Sequence, residues 1–333
     1  MKKIAVVGAL ENAGREILDL LAEKEYPMAD VFAVENKTPM GTMVSYGEDD
    51  DIDVFNLDDF DFSKADGAIF VTPEEITKKY LPKAKAKGIK IVDCSGASFG
   101  DTDVPMIVAG INEAEISKAK KDVVSVPSFF VTQMLLPLQN VVKKLKIKRI
   151  VISTYTSTSV YGKEAMDELF NQTRKIFMNE PLVDDEQIFH KQIAFNVLPQ
   201  IGEFMGEETH QEWQINAEVK KVLGSDLKVH ANCAVIPSFI GSAEYVNVEC
   251  EDDVDADEIR EMMKNAENVV VFDKNVDGGY VSLTDIQGED SVYVSRIRQD
   301  VSVENGFSFW CVSDNIRNGI AINALKVVEQ LLK

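Results

Sequence analysis

From Lys3 to Gly8 the chain runs Ile4-Ala5-Val6-Val7, a continuous apolar run with no polar face. A half-exposed strand alternates; a run like this suits a parallel strand covered by helices on both sides. It leads into Gly8-Ala9-Leu10-Glu11-Asn12-Ala13-Gly14, after which Ile17, Leu18, Leu20 and Leu21 oppose Arg15, Glu16, Glu23 and Lys24. That spacing predicts an amphipathic helix over 13–26. Strand, glycine-bearing turn and helix in this order open an α/β fold in which a pyrophosphate rests on a helix N-terminus. Further strands are predicted at 30–34, 67–71, 90–92 and 123–126. A helix is predicted over 72–87, with Thr72 as its cap and Pro73 at its first position. Strands alternating with helices imply a doubly wound parallel sheet with right-handed crossovers. The acidic stretch 48–61 reads as a solvated loop or edge hairpin.

From about residue 129 the texture changes. A helical pattern over 131–146 is bent by Pro137. Strands are predicted at 148–156, 227–235, 243–249, 268–272 and 292–299, and helices at 163–178, 212–223 and 255–265. This mixture predicts an α+β domain with a largely antiparallel sheet. A last helix, over 315–332, carries Ile316, Ile320, Ala324, Leu325, Val328 and Leu331 at helical spacing. With 333 residues the chain has room for two domains.

Charge narrows the partners. Lys plus Arg number 35 against 56 Asp plus Glu, a net −21. Such a surface repels nucleic-acid backbones and anionic lipid, so neither is an expected partner. No apolar run approaches the roughly 18 residues of a membrane span. Cys94, Cys233, Cys250 and Cys311 show no C-x-x-C spacing, which argues against a disulfide framework and for the cytoplasm. His190, His210 and His230 lack ligand spacing, and no metal site is expected.

The turn after the first strand is ambiguous. Gly8 and Gly14 are candidate cofactor-binding residues, but Glu11 stands where a dinucleotide-binding turn has its middle glycine. A carboxylate at a helix N-terminus stabilises the helix by roughly 0.3–1 kcal/mol. Glu11 is therefore expected to satisfy the anion position from within. Glu35, ending the second strand, sits where an NAD enzyme keeps its ribose acid, although strand-end acids are common. Cys94 has no neighbouring His or Arg in sequence to lower its pKa, and reads as a buried thiol.

Five blocks occur in a telling order: Lys148-Arg149-Ile150-Val151-Ile152-Ser153-Thr154-Tyr155, then residues 192–201 with Ala194-Phe195-Asn196-Val197-Leu198-Pro199, then Lys221-Val222-Leu223-Gly224. Last come Ser302-Val303-Glu304-Asn305-Gly306 and Asp314-Asn315-Ile316-Arg317. In these the chain resembles the aspartate-semialdehyde dehydrogenase family over its whole length. The resemblance implies a Rossmann-like domain over 1–128 completed by the helix 315–333, and an α+β dimerisation domain over 129–314. It also implies oxidation of an aldehyde through a cysteine thioester, with a histidine base, NADP as hydride acceptor and phosphate as acyl acceptor.

Carried over residue by residue, the resemblance finds the chemical positions altered. The nucleophile's turn matches Val126-Pro127-Ser128-Phe129-Phe130-Val131, so Phe129 holds the cysteine position. Ser242 holds that of the base, and Thr156 that of the glutamine that follows Ser-Thr-Tyr in the family. Phe99 replaces the arginine that binds the substrate carboxylate, and Gln211 and Gln214 replace a Glu and a Lys. Val71-Thr72-Pro73-Glu74 replaces a small-residue cofactor loop, leaving Gly8, Gly14 and Asn315 as cofactor contacts opposed by Glu11 and Glu74. Most similar in this erosion are the Usg-type dehydrogenase-like proteins. A phenyl ring forms no thioester and serine is a poor general base. The expectation is thus a non-catalytic family member acting by assembly or binding, with no cofactor, or NADP if any. A working oxidoreductase with altered chemistry or substrate, and a metabolite or nucleotide sensor, are the alternatives. The partner is expected to be a second copy, or an active paralogue, docked through the second domain. Ile193, Ala194, Phe195, Val197 and Leu198 would supply its apolar centre.

Overall fold

In the computed structural model, which describes residues 1–120, 122–182 and 187–333, the chain divides into two compact units. The first comprises Met1–Thr132 with Ile316–Lys333, and the second Gln133–Asn315.

The first unit is built on seven strands: β1 (Ile4–Val7), β2 (Val31–Glu35), β3 (Met43–Tyr46), β4 (Asp50–Asn56), β5 (Gly67–Phe70), β6 (Lys90–Asp93) and β7 (Val123–Ser125). Their order is β3-β4-β2-β1-β5-β6-β7. All neighbours run parallel except β3 against β4, the edge hairpin into which the acidic stretch folds. Every residue of β1 is buried, as its unbroken apolar run requires. Ile4 and Val6 join a core on one face with helix α1 (Asn12–Glu23) and the C-terminal segment, while Ala5 and Val7 join another on the opposite face. Helix α2 (Glu74–Lys85) contributes Tyr80 and Ala84 to that second core. The chain leaves β1 towards β2 on one side and later returns to place β5 on the other. Carboxyl ends at such a reversal are where open α/β sheets bind ligands.

Two local expectations are corrected here. Pro73, not Thr72, occupies the N-cap of α2, because the Thr72 hydroxyl is spent on Thr77 Oγ1 at 2.9 Å in a buried pair. The C-terminal helix begins as a π-helical stretch, Arg317–Ile322, before becoming α8 (Asn323–Leu331). Arg317 ties this stretch to α1 through Glu16 and Glu23, at 2.6 and 2.7 Å.

Pro137 does break its helix: α3 (Phe129–Leu135) passes through a 3₁₀ turn, Leu136–Leu138, to the short α4 (Val141–Lys144). The second unit continues with β8 (Ile147–Thr156), α5 (Lys163–Phe177), a small hairpin of β9 (Phe204–Met205) and β10 (Glu208–Thr209), and α6 (His210–Leu223). Then follow β11 (Lys228–Val235), β12 (Ser242–Cys250), α7 (Ala256–Lys264), β13 (Val269–Val271), β14 (Val292–Asp300) and β15 (Gly306–Ser313). Six strands form one mixed sheet ordered β11-β8-β12-β15-β14-β13, antiparallel except at the pairs β11–β8 and β13–β14. Strand β15 was not expected from the pattern. It is buried along almost its whole length, so Ser308, Trp310 and Ser313 interrupt any apolar alternation.

The apolar segment 192–201 is not one cluster. Ile193 and Ala194 are buried, their amides donating to Gln172 Oε1, and Leu198 bridges to Val235. Phe195 and Val197 instead project outward, 62% and 53% exposed. No helix among the described residues is long and apolar enough to cross a membrane.

Candidate functional site

In the first unit the site is a turn at the carboxyl end of β1. Gly8 has φ +96, a conformation open to glycine and strained for other residues. A Cβ at Gly14 would lie 1.9 Å from the Gly8 carbonyl oxygen, so only glycine lets α1 start this close to the strand. The Glu11 amide closes the turn by donating to Gly8 O at 3.0 Å. No side chain caps α1, although Glu11 stands at its N-cap. Glu11 thus does not fill the helix terminus from within, contrary to expectation. Its carboxyl is pushed above the ordinary carboxylate range, first by burial and then by Glu35. Glu35 reaches back into the turn, where Oε2 accepts the Leu10 amide at 2.9 Å and Oε1 accepts the Asn36 amide at 2.7 Å. Glu74 is paired with Lys78 on the exposed face of α2. Uncapped amides, a glycine cradle and a strand-end acid together fit a dinucleotide.

Phe129 opens α3 and is buried. Its ring lies 3.9 Å from that of Phe130, and Gly319 abuts its Cβ so closely that a Cβ there would approach to 2.3 Å. Phe99 is half-buried after a loop organised by the buried Asp93, which accepts from the Ser95 and Ser98 amides at 2.9 and 2.7 Å. Cys94 in that loop has its pKa raised well above the ordinary thiol value, first by burial and then by Asp93.

In the second unit Thr156 and Ser242 are brought face to face across β8 and β12, and Ser313 faces Ser242 from β15. Both Thr156 and Ser242 are fully buried, and neither hydroxyl has a hydrogen-bond partner among the described residues. The Thr209–Glu212 capping box starts α6 and so places Gln211 and Gln214 one turn apart. Gln214 donates to Glu218 at 2.8 Å, whereas the buried Nε2 of Gln211 has no partner among the described residues. Asn315 belongs to this unit, and its Oδ1 accepts the Gly241 amide at 3.2 Å.

Sequence reasoning missed Glu244. It is fully buried two residues beyond Ser242, and its Oε2 accepts from the Cys311 thiol at 3.5 Å. Burial raises its pKa well above the carboxylate range, partly offset by Cys311 and Gln133. The signal was present: along β12, Ser242, Glu244, Val246 and Val248 share one face at period two, and that face is buried. The remaining thiols are no better nucleophiles than Cys94. Burial pushes Cys233 up to about 12 and Cys250 to about 11, and it raises Cys311 well above the ordinary thiol range, with Glu244 adding to the shift. No group of three or more His, Cys, Asp or Glu among the described residues is arranged to hold a metal.

Comparison with known proteins covers the whole chain. Residues 3–119 match the semialdehyde dehydrogenase NAD binding domain, and residues 135–318 match the semialdehyde dehydrogenase dimerisation domain. Aspartate-semialdehyde dehydrogenase of Rickettsia bellii is 39% identical over 99% of this chain and 97% of its own. The Aquifex aeolicus protein of that name is 33% identical over 99% and 98%. Aspartate semialdehyde dehydrogenase II from Vibrio cholerae, solved alone and complexed with ASA, superposes with a TM-score of 0.92 at 30% identity, covering 99% of this chain and 98% of that one. These relatives overturn the expectation of a non-catalytic protein working by assembly. Full-length chains this similar carry the name of the enzyme, and one has been captured with ASA.

Proposed function

The chain belongs to the aspartate-semialdehyde dehydrogenase family, and from that premise we propose that it is a nicotinamide-dinucleotide-dependent oxidoreductase whose chemistry and substrate have changed. One observation carries the reading. Three positions matched to the family's chemical groups, Thr156, Gln211 and Ser242, each hold a buried polar atom without a partner among the described residues. Leaving such an atom unpaired costs about 1–3 kcal/mol. An abandoned site would be free to replace these residues with apolar ones of similar shape; a site that binds a polar substrate keeps them, because the ligand completes their hydrogen bonds.

The altered positions also describe the substrate. Where the family binds charged groups with Arg, Glu and Lys, this chain offers Phe99, Gln211 and Gln214. The two amides on α6 suit a small polar carbonyl compound that carries no net charge. Phe129 removes the thioester route, and every cysteine is held as a thiol by its surroundings. What remains is direct reduction of a carbonyl or oxidation of an alcohol, which needs a proton donor or acceptor in place of a nucleophile. Glu244, whose carboxyl burial pushes well above the ordinary carboxylate range, lies on the same strand face as Ser242 and is the proton store we assign to that step. The Gly8–Gly14 turn and the α1 amides would hold the dinucleotide, whose nicotinamide exchanges hydride when bound.

We further propose a homodimer formed through the second unit. Phe170, Phe177, Met178, Phe195 and Val197 are all exposed there, with Phe177 and Phe195 in edge-to-face contact at 5.8 Å. Phe195 also holds φ +59, a strained conformation for a bulky residue that a partner surface would stabilise.

The decisive assay follows reduced dinucleotide at 340 nm with a panel of small aldehydes and ketones, with and without phosphate. Turnover independent of phosphate, weakened in Ser242→Ala, is expected. Phosphate-dependent oxidation of aspartate semialdehyde, or no turnover with any carbonyl, refutes the proposal.

A further inference from the structure

We infer that the first unit selects a dinucleotide with a free adenosine 2′-hydroxyl, NAD(H), over its 2′-phosphorylated counterpart, and that Glu35 makes the selection. The inference rests on the dinucleotide dependence proposed above and names the cofactor class.

Glu35 closes β2, the strand hydrogen-bonded to β1, and it is only 9% exposed. In open α/β sheets the acid at this strand end meets the adenosine ribose. Its carboxylate is not free to swing away. Leu10 N–H, inside the glycine turn, holds one oxygen and Asn36 N–H the other. A carboxylate accepts about four hydrogen bonds. Two sites are thus occupied by the backbone, and the remaining lone pairs are available to ribose hydroxyls, which can donate. A 2′-phosphate has no proton to give at neutral pH and brings about −1.5 to −2 charge against a fixed carboxylate.

The neighbourhood reinforces the bias. Glu11 lies close enough to Glu35 for the two to act on one another electrostatically, so a 2′-phosphate would enter a field of two carboxylates. The cation nearest along the chain is Lys37, an exposed residue at φ +56 whose charge already acts on Asp58. NADP sites place an arginine near this strand end to accept the phosphate in a fork. Residues 35–38 here are Glu-Asn-Lys-Thr, with no arginine.

The test is calorimetric binding of NADH and NADPH to the full-length protein, with no substrate present. ADP-ribose and its 2′-phosphate serve as parallel probes of the adenosine end alone. NADH and ADP-ribose are expected to bind at least about tenfold more tightly than their 2′-phosphorylated counterparts, a difference of about 1.4 kcal/mol. In Glu35→Ser the gap should narrow to within about threefold, mainly through tighter binding of the phosphorylated ligands. Because that change also removes an acceptor from the turn, the wild-type ratio with ADP-ribose stands as an independent readout. Equal or tighter binding of NADPH overturns the inference and leaves dinucleotide dependence intact. Failure of both dinucleotides to bind at millimolar concentration overturns dinucleotide dependence, and the inference with it.

Discussion

Replacing Gly319 with alanine tests whether Phe129 is built into the frame of the first unit. The added Cβ would stand 2.3 Å from Phe129 Cβ, 3.2 Å from its Cα and 3.5 Å from its Cγ. Carbon atoms pack at about 3.5–4.0 Å, so the closest approach is short by more than about 1 Å. The obstructing atoms are the root of a side chain and its backbone, which no rotamer change can move aside. Overpacking of this kind costs about 1–3 kcal/mol. Opposing it, alanine is favoured over glycine in a helix by about 1 kcal/mol. The clash should prevail, leaving the variant destabilised by up to about 2 kcal/mol. Urea denaturation monitored by circular dichroism would show this as a lower midpoint with an unchanged slope. Gly100→Ala supplies the control, because a Cβ there meets nothing within 4 Å and its φ is not in the left-handed region. That variant should be neutral or more stable by up to about 1 kcal/mol. If Gly319→Ala behaves like Gly100→Ala, the close packing of Phe129 on residue 319 is wrong.

Glu244 gives the protein a pH signature. Its native pKa lies above the unfolded value near 4.5, so between the two the native state keeps a proton that the unfolded chain has lost. Stability should therefore fall as pH rises above about 4.5, and Glu244→Gln should flatten that dependence in urea titrations at several pH values; identical profiles for variant and wild type would contradict it. At the exposed face of the second unit, Phe195→Asp should convert a dimer of 37.0 kDa chains into monomers by light scattering at micromolar concentration, with the circular dichroism spectrum preserved. A wild-type protein that is already monomeric refutes the assembly.

What could be read in the sequence follows from how locally each feature is determined. The β1–turn–α1 unit was legible because an unbroken apolar run, a glycine turn and an amphipathic period each constrain neighbours in the chain. The exchange of cysteine for Phe129 was equally plain, since identity at a position needs no coordinates. Thr72 looked like a cap because its competitor, Thr77, is distinguished only once both are buried. Residues 192–201 read as one patch because apolar composition cannot tell Ile193, held by Gln172, from Phe195, turned outward. The inference that failed was functional. Missing catalytic side chains do not by themselves imply missing activity, and the buried polar atoms of Thr156, Gln211 and Ser242, unpartnered among the described residues, are visible only when burial and partners are known.

The route of the chain through the first unit has a consequence for biosynthesis. One of its two cores needs Ala321, Ala324, Leu325, Val327 and Val328, residues translated after the whole of the second unit. On the ribosome, residues 133–315 form a contiguous sequence able to fold as soon as they emerge. The earlier-made residues 1–132 must wait with one face of the sheet uncovered until residues 316–333 have emerged. During that interval the apolar side chains of β1, β5 and β6 that α8 and its preceding turn will cover are open to chaperones and to aggregation. A premature stop anywhere in residues 316–333 would therefore yield a chain whose second unit is complete and whose first unit cannot close.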